Sequence, residues 1–506
     1  MLLEAHQMEG LVEEEADVVI VGTGAGGASL GATLAEGGLS VVLVEEGNYY
    51  RTKDFTTDSM DMVRKLYRDA GTAMIWGNPN IYFGEGRCVG GSTVINGGIC
   101  WRTPEKVLQR WEWEHGVQDI SAKHMERFFE QVERDVNAAP QDPESVGEDC
   151  LRLARGAEAL GWHAEPIRRN QIHCAGTNNC AFGCPSGAKQ STLVSYIPRA
   201  IKSGARVICN TKVHEVLIEG GRAVGVLGTV RDPETKRTRA RVRVRAKVVV
   251  VACGAIQTPG LLLGQGICNG SKQVGRNFTC HPNAKAVAIY DDDIYGWKGT
   301  IQGSQIHEFL DEGLIITTTF VPPSMLSMSL PYFGRHSLEL MRDFNKMICA
   351  GCLVEDTGTG RVAYNRATGP VMLYNINDHD TDVMIRGIAL LCRIYFETGA
   401  RKVLLPFTTL EEIHSVDEIQ KIYRHKIRKS DIEMLTVHAM GTARMGDDPK
   451  RHVVGNYLES HEVRNLFITD ASVFPTPIGV NPQITIMSLS LRTGDYLLNN
   501  TAKYFS

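Results

Sequence analysis

The sequence predicts an α/β fold organised around a Rossmann-type sheet, and three observations carry that expectation. Within residues 17–47 a strand, a glycine-rich turn, a helix and a second strand follow one another, and residues 246–264 and 465–498 each run from an apolar strand through a small-residue turn into a helix. Continuous apolar strands of this kind belong to a sheet covered on both faces.

The first unit reads DVVIVGTGAGGASLGATLAEGGLSVVLVEEG. Residues 17–21 make the first strand, Gly22-x-Gly24-x-x-Gly27 follows at once, and residues 40–44 make a second strand ending in Glu45. In this arrangement Gly22 serves a tight turn and Gly24 lets backbone approach a pyrophosphate. Gly27 permits close helix-to-strand packing, and the N-terminus of the helical stretch that comes next offers amide donors and a positive dipole end, with Ala25 counted among the cofactor-binding residues. Glu45 stands where a carboxylate accepts from ribose hydroxyls, which disfavours NADP but does not separate NAD from FAD.

The next blocks lie far apart. GEGRCVGGSTVINGGICWRTP, residues 84–104, packs glycines, small hydroxyls and Asn96 into one loop suited to close wrapping around a planar ligand. AKVVVVACGAIQTPGLLLG, residues 246–264, reads as a buried strand, a small turn and a helix begun by Pro259. TVHAMGTARMG, residues 436–446, precedes a last strand, an acid, a Pro-rich turn and a closing helix in residues 465–498.

Composition narrows the function classes. The chain has 506 residues, 43% hydrophobic and 22% charged, enough for a large core and more than one domain. Its 54 basic and 58 acidic residues give a net charge of -4 with no long basic run, so nucleic acid is not an expected partner. Acids stand where a secretory leader would be basic and then apolar, and no apolar run is long and unbroken, so a cytoplasmic protein without membrane spans is expected. Thirteen scattered cysteines read as mostly buried free thiols.

Together these blocks resemble the glucose-methanol-choline (GMC) family of FAD-dependent oxidoreductases. The matching stretches are the N-terminal fingerprint, Gly90-Gly91-Ser92-Thr93-Val94-Ile95-Asn96-Gly97, Gly254-Ala255-Ile256-Gln257-Thr258-Pro259, and Val274-Gly275-Arg276-Asn277 before His281-Pro282. The blocks that begin at His438 and Gly479 complete the set. With the loop Phe182-Gly183-Cys184-Pro185-Ser186-Gly187-Ala188-Lys189, they look most like the long-chain alcohol oxidase branch, and the last two also look like cholesterol oxidase.

The resemblance implies a composite fold: a discontinuous FAD-binding domain of residues 1–104, 185–285 and 431–506, with a substrate-binding domain and cap of residues 105–184 and 286–430 built on an antiparallel sheet. It implies that Glu45 holds the adenosine ribose, that Val213 meets adenine through backbone groups, and that Asp470 and Ala471 meet the ribityl or pyrophosphate portion. Gly90, Gly91, Ser92, Asn96 and Gly97 would pass beside the flavin, and Asn481 and Pro482 would close the site. Relatives that attach FAD covalently use a His immediately before the loop Asn; here that position is Ile95, so non-covalent FAD is expected.

His438 matches the active-site His of the family and Asn481 its partner, so these two are the expected catalytic residues, with His281, His452 and His461 left structural. An imidazole titrates near working pH and can take the hydroxyl proton or hydrogen-bond the developing alkoxide, while an amide donates without competing for the proton. The expected reaction is oxidation of a hydrophobic alcohol to an aldehyde or ketone by hydride transfer to flavin N5, with oxygen, a quinone or another carrier as acceptor. FVPPSMLSMSLPYFG, residues 320–334, is suited to an apolar pocket lining or to ordinary core. Readings left open are a lyase or isomerase in which FAD is structural or transient, an NAD-dependent dehydrogenase, a non-catalytic flavin binder, and a sugar dehydrogenase with an iron-sulfur cluster.

That last alternative rests on Cys174, Cys180 and Cys184, spaced C-x5-C-x3-C with His173 adjacent. The spacing is not that of a zinc site and no fourth ligand is evident, so no metal is expected, and the stretch reads as an ordered loop leading to a helix near Ser191. Cys349-x-x-Cys352 lies in an apolar strand, where nothing lowers a thiol pKa.

Overall fold

Val18–Val21 and the strand Val41–Val44 lie in parallel register, Val18 opposite Val41, with almost no exposed surface. The computed structural model, which describes residues 1–330 and 332–506, places them in an eight-stranded sheet. Its order is Leu2–Leu3, Arg206–Ile208, Val41–Val44, Gly10–Val21, Thr238–Val251, Arg222–Arg231 and Thr211–Glu219, with Leu466–Ile468 also paired to Thr238–Val251. Strands on the first side run parallel, whereas the last three named in the order form an antiparallel meander.

Thr238–Val251 joins these two halves. One edge pairs with Gly10–Val21 along its length; the other pairs first with Arg222–Arg231 and then, from Val249, with Leu466–Ile468. Its burial follows the change: residues alternate between buried and exposed while one face is open, then residues 248–251 are buried without interruption.

Helix α1 (Ala25–Glu36) packs on this sheet, Gly31 against Leu43 and Ile20. The later helix α2 (Gly254–Gln265) begins five residues before Pro259, not at it, and carries Pro259 inside. Proline has no N–H for the carbonyl of Ala255, four residues back; that carbonyl instead accepts from Thr442 Oγ1 at 2.7 Å. The same Thr442 belongs to the 436–446 block, so a helix defect is what ties that block to the nucleotide sheet.

A ten-stranded, mainly antiparallel sheet forms the second layer. Its path runs Met74–Ile75, Ile81–Phe83, Met434–Thr436, Asn283–Ile289, Met347–Val354, Leu314–Thr318, Ser304–Ile306 and Ala164–Pro166. Lys402–Phe407 pairs with Asn283–Ile289 and with Leu410–Ile413. Helix α3 (Asp378–Glu397) is N-capped by Asn377 and packed through Gly387 against Leu314 and Cys352. Met74–Ile75, Ile81–Phe83 and Met434–Thr436 join this second sheet, although they lie in ranges expected to serve the nucleotide domain.

Three smaller expectations are resolved by packing. Cys349 and Cys352 lie on Met347–Val354 with side chains on opposite faces, in separate hydrophobic clusters. In the 320–334 stretch Leu326, Leu330 and Tyr332 join the cluster of Val287, Ile289 and Leu404, while Met328 and Phe333 are exposed; Pro331 lies outside the described residues. The helix expected near Ser191 begins at Tyr196, after a turn. Among the described residues no helix is long and apolar enough to cross a membrane.

Candidate active site

The glycine fingerprint is placed as its spacing demands. Gly22 has φ of 104°, and a Cβ there would sit 2.3 Å from the Ala252 carbonyl oxygen. Gly24, by contrast, faces no protein atom within 4 Å and N-caps α1 with no side-chain hydrogen bond. The first intrahelical bond is Ala28 N to Gly24 O, so the preceding amides of α1 have no helical acceptor. Such an end is suited to a pyrophosphate.

The loop of residues 84–104, expected beside the flavin, comes directly to this point. A Cβ on Gly91 would lie 3.0 Å from Gly24 Cα, Gly90 N donates to Thr23 Oγ1 at 3.0 Å, and Thr93 Oγ1 donates to Gly90 O at 2.6 Å. Thr192 Oγ1 lies 3.0 Å from Thr93 Oγ1, closing a buried hydroxyl network between three distant parts of the chain. Ser92 Oγ accepts from Gly86 N at 3.0 Å, and Asn96 Nδ2 donates to Gln483 Oε1 at 2.9 Å. A Cβ on Gly97 would lie 1.9 Å from Gln302 Oε1, so a side chain there would require Gln302 to swing away. Ile95 is buried.

Glu45 is buried at the end of Val41–Val44, where its Oε2 accepts from Thr23 N (3.1 Å) and Thr23 Oγ1 (2.6 Å) and its Oε1 from Gly47 N (2.8 Å). Burial raises its pKa, opposed by these three bonds. Three donors still leave acceptor capacity on a carboxylate. Val213 lies at a bulge in Thr211–Glu219.

Asp470, expected beside the ribityl or pyrophosphate portion, has its carboxylate held by groups of the chain. Its Oδ2 accepts from Gly254 N (3.0 Å) and Thr258 Oγ1 (2.5 Å) and its Oδ1 from Ser472 N (2.8 Å), so it caps α2. Ala471 O accepts from Gly441 N. Replacing Asp470 by Ala leaves three donors without this acceptor; an expected loss of about 2–4 kcal/mol will show as a lower urea midpoint at unchanged slope.

His438 and Asn481 meet, as the sequence led one to expect, with His438 Nε2 and Asn481 Nδ2 3.3 Å apart. Asn481 and Pro482 stand at the start of helix α4 (Gln483–Asn499), which crosses α1 where Gly494 faces Leu30 and Thr33. The structure adds His281, whose Nδ1 lies 3.4 Å from His438 Nδ1, the rings edge to face. His281 has φ of 43°, held there by Asp356, which accepts from the backbone N–H groups of Cys280 (2.7 Å) and His281 (3.2 Å). His452 contacts His115, and His461 contacts the Gly446 carbonyl, both away from His438.

Proton counting constrains this trio. Gly479 N donates to His281 Nε2 at 3.2 Å, which puts the His281 proton on Nδ1, toward His438. His438 then accepts at Nδ1 and carries its own proton on Nε2, so Asn481 must present its amide oxygen there. The alternative tautomer pair frees a lone pair on His438 Nε2, but His281 must then carry its proton on Nε2 and the Gly479 bond is lost. Desolvation pulls the His438 imidazole down to about 4 and moves His281 well below its ordinary value. Both rings are neutral near pH 7.

Comparison with known proteins shows which family the chain belongs to. The profile described as GMC oxidoreductase matches residues 63–283 with its N-terminal part and 356–490 with its C-terminal part, and an FAD binding domain profile matches residues 17–72. A GMC-type oxidoreductase of Mycobacterium tuberculosis is 35% identical over 95% of this chain and 75% of its own length. The chain belongs to the GMC oxidoreductase family. It is an FAD-dependent oxidoreductase, and the uncapped α1 amides and the open approach at Gly24 suit the dinucleotide.

Within the GMC family, a protein of Sinorhizobium fredii is 31% identical over 97% of this chain and 96% of its own. A long-chain-alcohol oxidase of Arabidopsis thaliana is 25% identical over 94% of this chain and 65% of its own. The fold is shared with solved structures: formate oxidase of Aspergillus oryzae has a TM-score of 0.74 at 14% identity, covering 98% of this chain and 100% of its own. Pyridoxine 4-oxidase from Mesorbium loti has a TM-score of 0.72 at 16% identity, covering 95% and 98%.

His281 is the residue that reading the sequence missed as part of the site. Its only local signal is the dipeptide His281-Pro282 after a signature that otherwise serves the fold. Gly26 was also passed over, though a Cβ there would lie 1.5 Å from the Thr469 carbonyl oxygen.

Proposed function

We propose that this GMC oxidoreductase oxidises a hydrophobic alcohol to the aldehyde or ketone, with His438 accepting the hydroxyl proton at Nε2 and Asn481 donating to the same oxygen. The observation that carries this reading is the meeting of His438 Nε2 with the Asn481 amide at 3.3 Å, beside His281. FAD, when bound, supplies the acceptor for the carbon-bound hydride.

Everything else is done by the chain. A neutral imidazole is the form able to take a proton, and desolvation keeps His438 in that form above about pH 4. The base-competent tautomer costs the Gly479 to His281 bond, so His281 is the residue that sets how readily His438 takes it up. Asn481 offers an N–H without an acidic proton, which favours charge building on the substrate oxygen over charge on the amide. A hydrophobic alcohol is favoured over a sugar by similarity to the long-chain-alcohol oxidases.

Asn481→Ala is expected to lower the rate of flavin reduction by a long-chain alcohol about 10- to 100-fold, measured anaerobically by the loss of visible flavin absorbance. The reading fails if no primary or secondary alcohol bleaches the flavin while an elimination or isomerisation proceeds. His281→Ala opens the site beside His438 to water; the expected result is an acid limb of kcat/KM moved upward from about 4 toward the ordinary histidine value of 6.5. An unmoved limb would show that His281 only fills space.

A further inference from the structure

The loop of residues 173–191 carries chemistry that alcohol oxidation does not use. Cys174, Cys180 and Cys184 face one small cavity together with Arg169 and Lys189. Both cations are almost fully buried. Among the described residues their hydrogen-bond partners are carbonyl oxygens, a hydroxyl and one sulfur, with no carboxylate.

Two buried positive charges without a carboxylate call for negative charge from elsewhere. The one sulfur they address is Cys180: Arg169 Nη2 donates to its Sγ at 3.1 Å, and Lys189 Nζ donates to its carbonyl at 2.7 Å. Burial by itself raises a thiol pKa, and does so for Cys150 and Cys253, but at Cys180 Arg169 and Lys189 outweigh burial and hold the thiol below its ordinary value. Cys174 and Cys184 are partly exposed, so the cavity is within reach of small molecules. Asn178 Oδ1 and Gln171 Oε1, nine-tenths or more buried and without hydrogen-bond partners, belong to residues lining the same cavity and are ready to accept from a small hydroxylic visitor.

The three cysteines are not arranged as a metal centre: among the described residues no three His, Cys, Asp or Glu side chains converge in a way that would hold a metal ion. We propose that Cys180 is a peroxide-reactive thiolate whose oxidation is resolved by Cys184 across this cavity, giving a reversible disulfide beside the flavin-side loop. The thiolate attacks one oxygen of hydrogen peroxide; an S–O bond forms, the O–O bond breaks, and hydroxide leaves and takes a proton from solvent. The Cys184 sulfur then attacks Cys180, forming the S–S bond as the S–O bond breaks, and water leaves with the Cys184 proton. Two sulfurs lose two electrons, and one peroxide becomes two waters.

The consequence reaches the flavin-side loop through the same cations. Lys189 Nζ also donates to Val94 O (2.7 Å) and Asn96 O (2.8 Å), and Arg169 Nε to Gly97 O (2.8 Å). Oxidation removes the negative charge that holds these two side chains in place, and with it part of their grip on residues 94–97.

The test uses the flavin-loaded wild type treated with hydrogen peroxide, with and without dimedone, followed by differential alkylation and peptide mass spectrometry. Expected are a dimedone adduct at Cys180, a Cys180–Cys184 disulfide in its absence, reversal by dithiothreitol, a change in visible flavin circular dichroism, and no modification of Cys150 or Cys253. Cys184→Ser should retain the Cys180 adduct and form no disulfide; Arg169→Met should slow Cys180 oxidation about tenfold. The proposal is overturned if Cys180 stays reduced while Cys174 and Cys184 oxidise, if the flavin signal changes equally in Cys180→Ser, or if the protein purifies with stoichiometric iron and acid-labile sulfide.

Discussion

His438→Ala is expected to slow anaerobic flavin reduction by about 10²- to 10³-fold while leaving flavin content near that of the wild type. In the proposed reaction His438 is the proton acceptor, and a positioned acid or base contributes roughly this factor. Flavin is expected to stay because the groups proposed to hold the dinucleotide are elsewhere: the turn at Gly22, the amides of α1 and Glu45 are held by contacts with Ala252, Thr23 and Gly47, none of which involves His438. A variant that bleaches within tenfold of the wild-type rate would refute the assignment of His438 as base.

The wild-type pH profile provides an independent check with a fixed sign. Because desolvation lowers the His438 pKa to about 4, the proton-accepting form is complete above that value and kcat/KM should fall tenfold per pH unit only below it. The same depression has a price in stability at low pH. An unfolded histidine takes up its proton near 6.5, before the folded one does, so the contribution of His438 is full above 6.5 and is lost as pH falls from there to about 4.

Gly26→Ala is expected to have the other large effect, abolishing flavin-loaded soluble protein. A Cβ there would lie 1.5 Å from the Thr469 carbonyl oxygen and 3.2 Å from Ser490 Oγ, and backbone cannot yield as a flexible side chain does. Either α1 lifts from the end of Leu466–Ile468 or the Thr469 peptide turns, and each moves the amides at the start of α1, which are proposed to hold the pyrophosphate. Gly38→Ala is a suitable control, since its left-handed conformation carries strain but no atom lies within 4 Å of the added methyl. Yield and the ratio of flavin to protein absorbance decide; a loaded Gly26→Ala protein would show that the helix has room to move.

Much of this was legible because local chemistry and tertiary task coincide. Gly22-x-Gly24-x-x-Gly27, the loop at Gly90 and the strand at residues 248–251 each carry a composition that serves one geometry. Residues whose task depends on a distant partner were harder to read. Nothing beside His281 in sequence announces that His438, 157 residues on, lies against it. Nothing beside Asp470 in sequence announces that its carboxylate is held by Gly254, Thr258 and Ser472, the first two more than two hundred residues upstream. Pro259 signalled a helix start by the usual rule, and only Thr442 explains why it is tolerated inside one. The cysteines of the 173–191 loop suggested metal ligands by type, while the two cations that give Cys180 its character come from Arg169 and Lys189 at either side.

The divided edge of Thr238–Val251 bears on how the protein is made. Its first half can pair with the adjacent hairpin soon after synthesis, but the second waits for Leu466–Ile468, and Gly26 waits for Thr469. Contacts of such sequence separation form late. A chain still on the ribosome and ending before residue 466 is therefore expected to capture no FAD, measured as flavin fluorescence on stalled nascent chains. Cofactor capture would mark the completed chain, so that unfinished molecules never carry a flavin able to take electrons.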